Sequence, residues 1–335
     1  MSACLVYLDK GRADIREMPI RLAPSSSSPD PQQPVTSDAP VTATALYSAI
    51  SRGTERLVYH GNVPRSEWQR MRAPFQHGDF PFPVGYGYAW VGRLDGQDDK
   101  SRTDGLVFGL FPHQARVSAP VEAFVSLPDG LPPRRAVLAA NMETALNIIW
   151  DASIDPGMHV AIVGGGVVGL LTAGIASAIP ATKVNVIDTN PQRAKAAQGV
   201  GADFSHPHEA PDNQDVVIHT SASESGLKTA LSLAGHEARV VEASWYGTTA
   251  PRVPLGETFH SRRLSLVSSQ VAQVSPGLRP RWNHRRRLIT ALSLLSDPKY
   301  DALITGDIRF DALPARLDEI LRHDADGLAT AIHYS

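Results

Sequence analysis

Gly164-Gly165-Gly166-Val167-Val168-Gly169 follows the apolar run His159–Val163 and leads without a break into a second apolar run, Val167–Ile179. In a G-x-G-x-x-G spacing between a strand and a helix, each glycine has a physical task. Gly164 permits the tight turn, Gly166 lets the backbone approach a pyrophosphate, and Gly169 lets the helix lie close on the strand. Free N–H groups at the helix start, from Val167, Val168 and Gly169, together with the positive end of the helix dipole, favour the anion. Asp188 ends the next apolar run, 19 residues after Gly169. A carboxylate there accepts hydrogen bonds from an adenosine ribose and repels a 2′-phosphate. The chemistry implied is binding of a nicotinamide dinucleotide, NAD in preference to NADP. Arg193, just past that strand, is the residue type that accommodates a 2′-phosphate, so NADP stays open.

These residues need a scaffold, and the surrounding pattern supplies one. Strands are predicted at His159–Val163, Lys183–Asp188, Asp215–His219, Arg239–Ala243 and Leu264–Ser268, with helices over Val167–Ile179, Pro191–Val200 and Glu224–Leu233. Strand–helix alternation with continuous apolar strands predicts an α/β domain built on a doubly wound parallel sheet, a Rossmann domain. Upstream, short β-like runs such as Val41–Ser48, Gly87–Leu94 and Leu106–Leu110 are broken by Gly and Pro, which predicts a β-rich domain. Ala136–Trp150 carries apolar residues at helical spacing, and further helices are expected over Trp282–Leu295 and near Asp311–His323. Residues 24–40, PSSSSPDPQQPVTSDAP, are too polar and Pro-rich to pack and read as a surface loop.

At 335 residues the chain is long enough for two domains. A net charge of −2 gives no pull toward nucleic acid or membrane surfaces. No apolar run reaches the roughly 18 residues of a membrane span, and the N-terminus lacks the basic and apolar regions of a secretory signal. A single cysteine, Cys4, excludes an intrachain disulfide and a Cys-rich zinc lobe. The expectation is a cytoplasmic protein with a small-molecule substrate and neither a nucleic-acid nor a membrane partner.

Several stretches, in this order along the chain, resemble landmarks of the medium-chain dehydrogenase/reductase superfamily. They are Ser51-Arg52-Gly53-Thr54-Glu55, Pro83-Val84-Gly85-Tyr86-Gly87, Leu127-Pro128-Asp129-Gly130-Leu131, Ala139–Trp150 and Asp188-Thr189-Asn190-Pro191. The resemblance implies a GroES-like β-rich domain over residues 1–143, a Rossmann domain over 144–270 and a return to the first domain over 271–335. It also implies a homodimer. Zinc-dependent members carry a ligand Cys where this chain has Ser51 or Arg52, and a ligand His where it has Tyr86. Glu143 matches a third ligand, and one ligand of three does not hold a catalytic zinc. A zinc-free protein is therefore expected. The spelling S-x-G-T-E with G-Y-x is similar to a zinc-less subgroup that includes bacteriochlorophyllide-type dehydrogenases.

Without a metal, hydride transfer needs another group to polarise an oxygen or handle a proton, expected in the cleft between the domains where the ligands would have been. Tyr86 is a candidate phenol donor, or a ring filling the vacated metal hole. Glu143 is a candidate acid/base, or a buried carboxylate paired with Arg52, the cofactor or another partner, because burying it unpaired is costly. Thr54 matches the family's proton-relay hydroxyl. His113, in Phe111-Pro112-His113-Gln114, and His77 are either general acids titrating near neutrality or ordinary surface residues. By their place in the fold, Ser244 would face the nicotinamide ribose, and Ser268-Ser269-Gln270 would bond the carboxamide. Arg262, Arg263, Arg279, Arg281 and Arg285-Arg286-Arg287 either grip an anionic substrate or form a solvated face. The expected function is a zinc-free NAD-dependent dehydrogenase for a secondary alcohol or ketone. The alternatives are an NADPH-dependent double-bond reductase and a cofactor-binding protein without catalysis.

Overall fold

The computed structural model describes residues 1–21, 40–96 and 105–334. Most of the stretch read as a surface loop, 24–39, lies outside the described residues. Contacts divide the chain into two compact units: residues 1–140, 288–297 and 304–335 form the first, and residues 141–287 and 298–303 the second.

The first unit begins with strands β1 (Ser2–Asp9), β2 (Arg12–Met18) and β3 (Val41–Ile50), followed by helix α1 (Arg52–Tyr59). Short strands follow: β4 (His77–Gly78), β5 (Val84–Gly85), β6 (Trp90–Leu94), β7 (Leu106–Gly109), β8 (Arg116–Ala119) and β9 (Val125–Ser126). Helix α2 (Pro133–Ala136) leads to α3 (Ala139–Ala152), with which the chain enters the second unit.

That unit holds β10 (His159–Val163), α4 (Val167–Ala176), β11 (Lys183–Ile187), α5 (Arg193–Gly199), β12 (Asp203–Ser205), β13 (Gln214–His219), α6 (Glu224–Leu233), β14 (Ala234–Glu242) and β15 (Ser265–Ser268). The chain crosses back within α7 (His284–Leu294) and ends the described fold with β16 (Ile304–Arg309), α8 (Leu313–Leu321) and β17 (Ala329–His333).

In the second unit six strands lie in the order β12-β11-β10-β13-β14-β15, all parallel. Chain order reverses beside β10, which opens a crevice at the carboxyl ends of β10 and β13, the place where such sheets bind ligands. Val163, the last residue of β10, is in register with Ile187 of β11 and His219 of β13. Those register partners place Asp188 and the 219–223 turn on either side of the glycine-rich loop. One face of the sheet is closed by α6, whose Leu227, Ala230 and Leu231 pack on Val217, Val240 and Ala161.

In the first unit β3 is the organising strand, pairing β6, β8 and β17. β17 runs antiparallel to it, with Thr330 opposite Ile50 and His333 opposite Tyr47. Trp90 on β6 is fully buried against Phe111 and Phe124, and its indole N–H donates to the Gln114 carbonyl at 2.8 Å. A smaller sheet, β2-β1-β5-β4, carries the N-terminal hairpin.

Most predicted elements are present, with ends moved by a few residues. The helix expected to Ile179 stops at Ala176, and the one expected from Pro191 begins at Arg193. The sequence did not announce β12, β16 and β17. The return to the first unit falls at 287/288 rather than at 270/271, because residues 271–287 pack beside α3: Trp282 lies 4.8 Å from Trp150, and Arg287 reaches Glu143. Among the described residues no helix is long and apolar enough to cross a membrane.

Trp90 tests the organisation of the first unit. Trp90→Ala removes the largest fully buried side chain and should cost about 3–5 kcal/mol, read as a lowered urea midpoint. Trp90→Phe, which keeps the ring contacts and loses the indole donor, should cost markedly less.

Candidate functional site

The fingerprint loop is built as close backbone packing. Gly164 has φ +118, and a Cβ there would sit 2.8 Å from the Ser221 nitrogen. A Cβ at Gly169 would sit 2.0 Å from the Gly164 carbonyl oxygen, so no side chain fits between helix and turn. A Cβ at Gly166 meets nothing within 4 Å. The residue that caps α4 thus faces open space beside the free N–H groups of Val167, Val168 and Gly169, which is the cradle that a pyrophosphate needs.

Asp188 is held at this loop. One carboxylate oxygen accepts from the Gly165 N–H at 2.6 Å, and the other accepts from the Asn190 N–H at 2.8 Å. Each oxygen keeps a lone pair for a ribose hydroxyl. The aliphatic stem of Arg193 lies over Gly165, so acid and guanidinium-bearing side chain share one rim. The residues present fit a dinucleotide, with Asp188 at its ribose and Gly166–Gly169 at its phosphates. Ser244 and Ser269 are engaged within the unit: the Ser244 hydroxyl oxygen accepts from the Ala222 N–H at 3.0 Å, and the Ser269 hydroxyl donates to Asp151 at 2.7 Å.

Glu143 is a structural residue. It is buried and pairs at 3.0 Å with Arg287, which is 1 % exposed. Arg287 also donates to Asn147 at 2.6 Å and to the carbonyl of Val271. Burial raises the Glu143 carboxyl above its ordinary value, against the pull of Arg287. The Arg52 guanidinium donates to the carbonyls of Gly327, Arg322 and Ala325.

The arginine cluster dissolves in the same way. Besides Arg287, Arg262 donates to the Ala234 carbonyl, Arg263 pairs with Glu237, Arg279 donates to the Val274 carbonyl, and Arg286 lies 3.9 Å over the Trp282 ring. Neither an anion grip nor a uniformly solvated face describes them.

Tyr86, Thr54 and His113 gather in the first unit around a residue that the sequence did not single out, Glu55. The expected surface role of His113 is overturned, since its side chain is wholly buried. The loop that carries it is stitched to β1, with the Leu5 N–H donating to the His113 carbonyl at 2.9 Å and the Ala115 N–H to Ala3 at 2.9 Å. Its Nε2 lies 2.9 Å from Glu55 Oε2 and its Nδ1 2.8 Å from the Ser48 hydroxyl, which in turn meets the Tyr334 hydroxyl at 2.9 Å. Glu55, also fully buried, accepts from the Tyr7 hydroxyl at 2.7 Å and from the Ser51 N–H at 2.7 Å. The pattern Ser51–Glu55 lay in the open text of the sequence, but nothing local shows that residues 7, 48, 113 and 334 converge on it.

Tyr86 packs between Phe80 and Tyr88, at 5.8 and 6.0 Å. Burial, with Tyr88 and Glu55 nearby, keeps its phenol well above the usual range, so it stays protonated and offers a hydrogen bond rather than acting as a base. The Tyr88 hydroxyl donates to the Ser51 hydroxyl at 2.6 Å and also engages Thr54. His77 is half-buried, bonded through Nε2 to Gln114 at 2.8 Å, and burial lowers its pKa.

The zinc ion found in many members of the resembling family does not fit these residues. Ser51 is tied to Tyr88, Arg52 is a cation bonded to carbonyls, Tyr86 is wedged among rings, and Glu143 is neutralised by Arg287. Among the described residues no group of three His, Cys, Asp or Glu side chains is placed to hold a metal.

No family model matches the chain. An uncharacterized zinc-type alcohol dehydrogenase-like protein of Haemophilus influenzae is 24 % identical over 224 residues, 63 % of this chain and 61 % of that protein. D-xylulose reductase A of Aspergillus niger is 24 % identical over 209 residues, 60 % of this chain and 58 % of that enzyme. The chain thus matches about three-fifths of the length of these relatives. Among solved structures, a short chain alcohol dehydrogenase of Escherichia coli complexed with NADH superposes with a TM-score of 0.72 at 15 % identity, covering 99 % of each chain. A putative zinc-binding dehydrogenase of Sinorhizobium meliloti bound to NADP gives 0.73 at 18 % identity, covering 100 % of this chain and 99 % of that one. The fold is that of a GroES-like β-rich domain combined with a Rossmann domain. That fold and these relatives carry the resemblance to the medium-chain dehydrogenase/reductase superfamily. The comparisons lend the bacteriochlorophyllide-type resemblance no support.

The Glu143–Arg287 pair generates a stability prediction. Glu143→Gln leaves a buried guanidinium without its counter-charge and should cost about 3–5 kcal/mol in chemical denaturation. Replacing both residues, as Glu143→Gln with Arg287→Met, should recover part of that loss. A double variant no more stable than the single one would show that the charges are not coupled.

Proposed function

We propose that the protein is a nicotinamide-dependent oxidoreductase that moves a hydride between NAD(H) and a secondary alcohol or its ketone without a zinc ion. The observation that carries this reading is the Asp188 carboxylate, pinned by the Gly165 and Asn190 N–H groups beside the open cradle at Gly166. Kinship with alcohol and polyol dehydrogenases supports the substrate class. NADH and NADP in the two structural neighbours support the cofactor class.

When bound, a nicotinamide supplies the hydride donor or acceptor. Asp188 binds the adenosine ribose and disfavours a 2′-phosphate, and the α4 N-terminus neutralises the diphosphate. Proton handling falls to the first unit. Tyr86, with its strongly held proton, donates to a carbonyl oxygen. Thr54 and Tyr88 orient the hydroxyl network beside it, and the Glu55–His113 pair supplies charge behind the ring. The donors that would hold zinc are replaced or committed elsewhere, which supports a metal-free mechanism. A small-molecule substrate, a homodimer and a cytoplasmic address complete the reading.

The test is a fluorescence titration with NADH and NADPH. Wild-type protein should bind NADH at least about tenfold tighter, a difference of about 1.4 kcal/mol, and Asp188→Ala should abolish the gap. Asp188→Asn, which keeps one acceptor for the two backbone N–H groups, guards against collapse of the turn. Equal or reversed preference would move the rim toward Arg193 and favour an NADPH-dependent double-bond reductase. Turnover of secondary alcohols should survive dialysis against a chelator; a loss restored by zinc would overturn the metal-free part. Binding without turnover on any alcohol or carbonyl would leave a non-catalytic cofactor-binding protein.

A further inference from the structure

A second buried polar cluster stands at the carboxyl edge of the parallel sheet, on the far side of the fingerprint turn from Asp188. His219 and Glu242 are the last residues of the adjacent strands β13 and β14 and are register partners. Their side chains meet, Nδ1 to Oε2, at 2.7 Å. His219 Nε2 lies 2.6 Å from the Ser221 hydroxyl, which lies 2.9 Å from that of Ser223, and Ser223 caps α6 by accepting from the Gly226 N–H. Glu242 also accepts from the Ser244 N–H at 2.8 Å and from the Tyr246 hydroxyl at 3.1 Å.

One consistent direction of donation runs along these contacts. Ser223 donates to Ser221, Ser221 to His219 Nε2, and the remaining His219 proton on Nδ1 goes to Glu242, the tautomer following from the partners. In that arrangement the His219 Nδ1–H faces the Glu242 carboxylate, which accepts from it. The Glu242 carboxyl is held below the ordinary value: burial pushes it up, and the hydrogen bonds and charge of His219, with the Ser244 N–H, outweigh burial. The His219 side chain has no exposure, whereas that of Glu242 keeps 17 %, so of the two only the Glu242 side chain meets solvent.

The location decides what the charge faces. The backbone of Ser221 forms the wall against which Gly164 turns, and the Thr220 hydroxyl donates to the Gly164 carbonyl at 2.9 Å. A dinucleotide with its adenosine ribose at Asp188 and its diphosphate at Gly164–Gly169 extends its second nucleoside toward the ends of β13 and β14. That nucleoside is neutral when reduced and carries a cationic pyridinium ring when oxidised. A fixed carboxylate at this end favours the cation, and its effect is strengthened by partial exclusion of water.

We propose that Glu242, braced by His219 and Tyr246, is a counter-charge that makes the protein bind the oxidised cofactor in preference to the reduced one. The inference rests on the dinucleotide reading above. It assigns Glu242 an electrostatic task and His219 a positioning one. Biasing the bound pair toward NAD⁺ opposes use of that cofactor as oxidant and favours ketone reduction, in which NADH is consumed and NAD⁺ remains bound.

The experiment measures dissociation constants of NAD⁺ by calorimetry and of NADH by fluorescence for the wild type and three variants. Glu242→Gln keeps the shape and most hydrogen bonds while deleting the charge. It should weaken NAD⁺ by about tenfold and change NADH less than about twofold. Glu242→Asp, which keeps the charge, and Tyr246→Phe, which removes only a bracing hydroxyl, should both hold the NAD⁺/NADH affinity ratio near the wild-type value. Equal loss for both redox forms in Glu242→Gln would make the cluster merely structural and overturn the proposal, as would no change in either. If Glu242→Gln does not fold, a ratio that moves in Tyr246→Phe but not in Glu242→Asp overturns it, and a ratio kept in both supports it. Wild-type protein that binds neither form would refute the dinucleotide reading itself, an outcome separate from these.

Discussion

Helix α4 rests directly on the backbone of Gly164, with 2.0 Å between that carbonyl oxygen and the place where a Gly169 side chain would begin. Much of the second unit depends on this absence of atoms. It lets the helix start at the very end of β10, which leaves its first N–H groups pointing into the crevice rather than into a loop. It brings the Thr220–Ser221 backbone against the turn from the other side, and it holds Gly165 where its N–H can fix Asp188. A single methyl group at Gly169 would push apart strand, turn and helix, because the atom it meets is backbone and cannot swing away.

Three of the carboxylates that the fold withdraws from solvent are each matched to a nitrogen cation or imidazole distant in sequence. Glu55 meets His113, Glu143 meets Arg287, and Glu242 meets His219. Burial of an unpaired carboxylate would cost far more than any packing gain at these positions could offset. The pairs differ in how much solvent they keep. Glu55 and Glu143 are sealed and hold elements together, Glu143 joining α3 to α7. Glu242 keeps an open edge, which is why its charge is available to a ligand while the others are spent internally.

The second unit was legible because its signals are local. The strand His159–Val163 and the helix Glu224–Leu233 have the ends that periodicity suggested, since an apolar run and a capping Ser223 lie within a few residues of each other. The glycine spacing and Asp188 could be read for the same reason. β16 and β17 could not, because their strand character comes from pairing with each other and from the pairing of β17 with β3, 280 to 286 residues away. The candidate residues show the same divide. His113 looked like a loop histidine, and by element it is one, yet its burial is imposed by backbone bonds to residues 3 and 5. Glu143 correctly demanded a partner, but the identity of Arg287 was hidden among neighbouring arginines of similar appearance. Glu55, His219 and Glu242 carry no spacing that marks them, because contact across strands has no signature in the linear text.

The pairing of β17 with β3 has a consequence for the order in which the molecule can be made. β3 is synthesised early, but the Tyr47–Ile50 part of one edge, beyond the stretch paired with β8, stays bare until residues 329–333 exist. Residues 141–287 are continuous and contain all six strands of the parallel sheet, so that unit can complete its core while the nascent first unit still waits for its last strand. During that interval β3 is an apolar strand with part of one edge unpaired, the kind of surface that invites pairing with other chains and that chaperones cover. The Ser48–Tyr334 hydroxyl contact can form only once that pairing closes, so the network around His113 is completed together with the sheet.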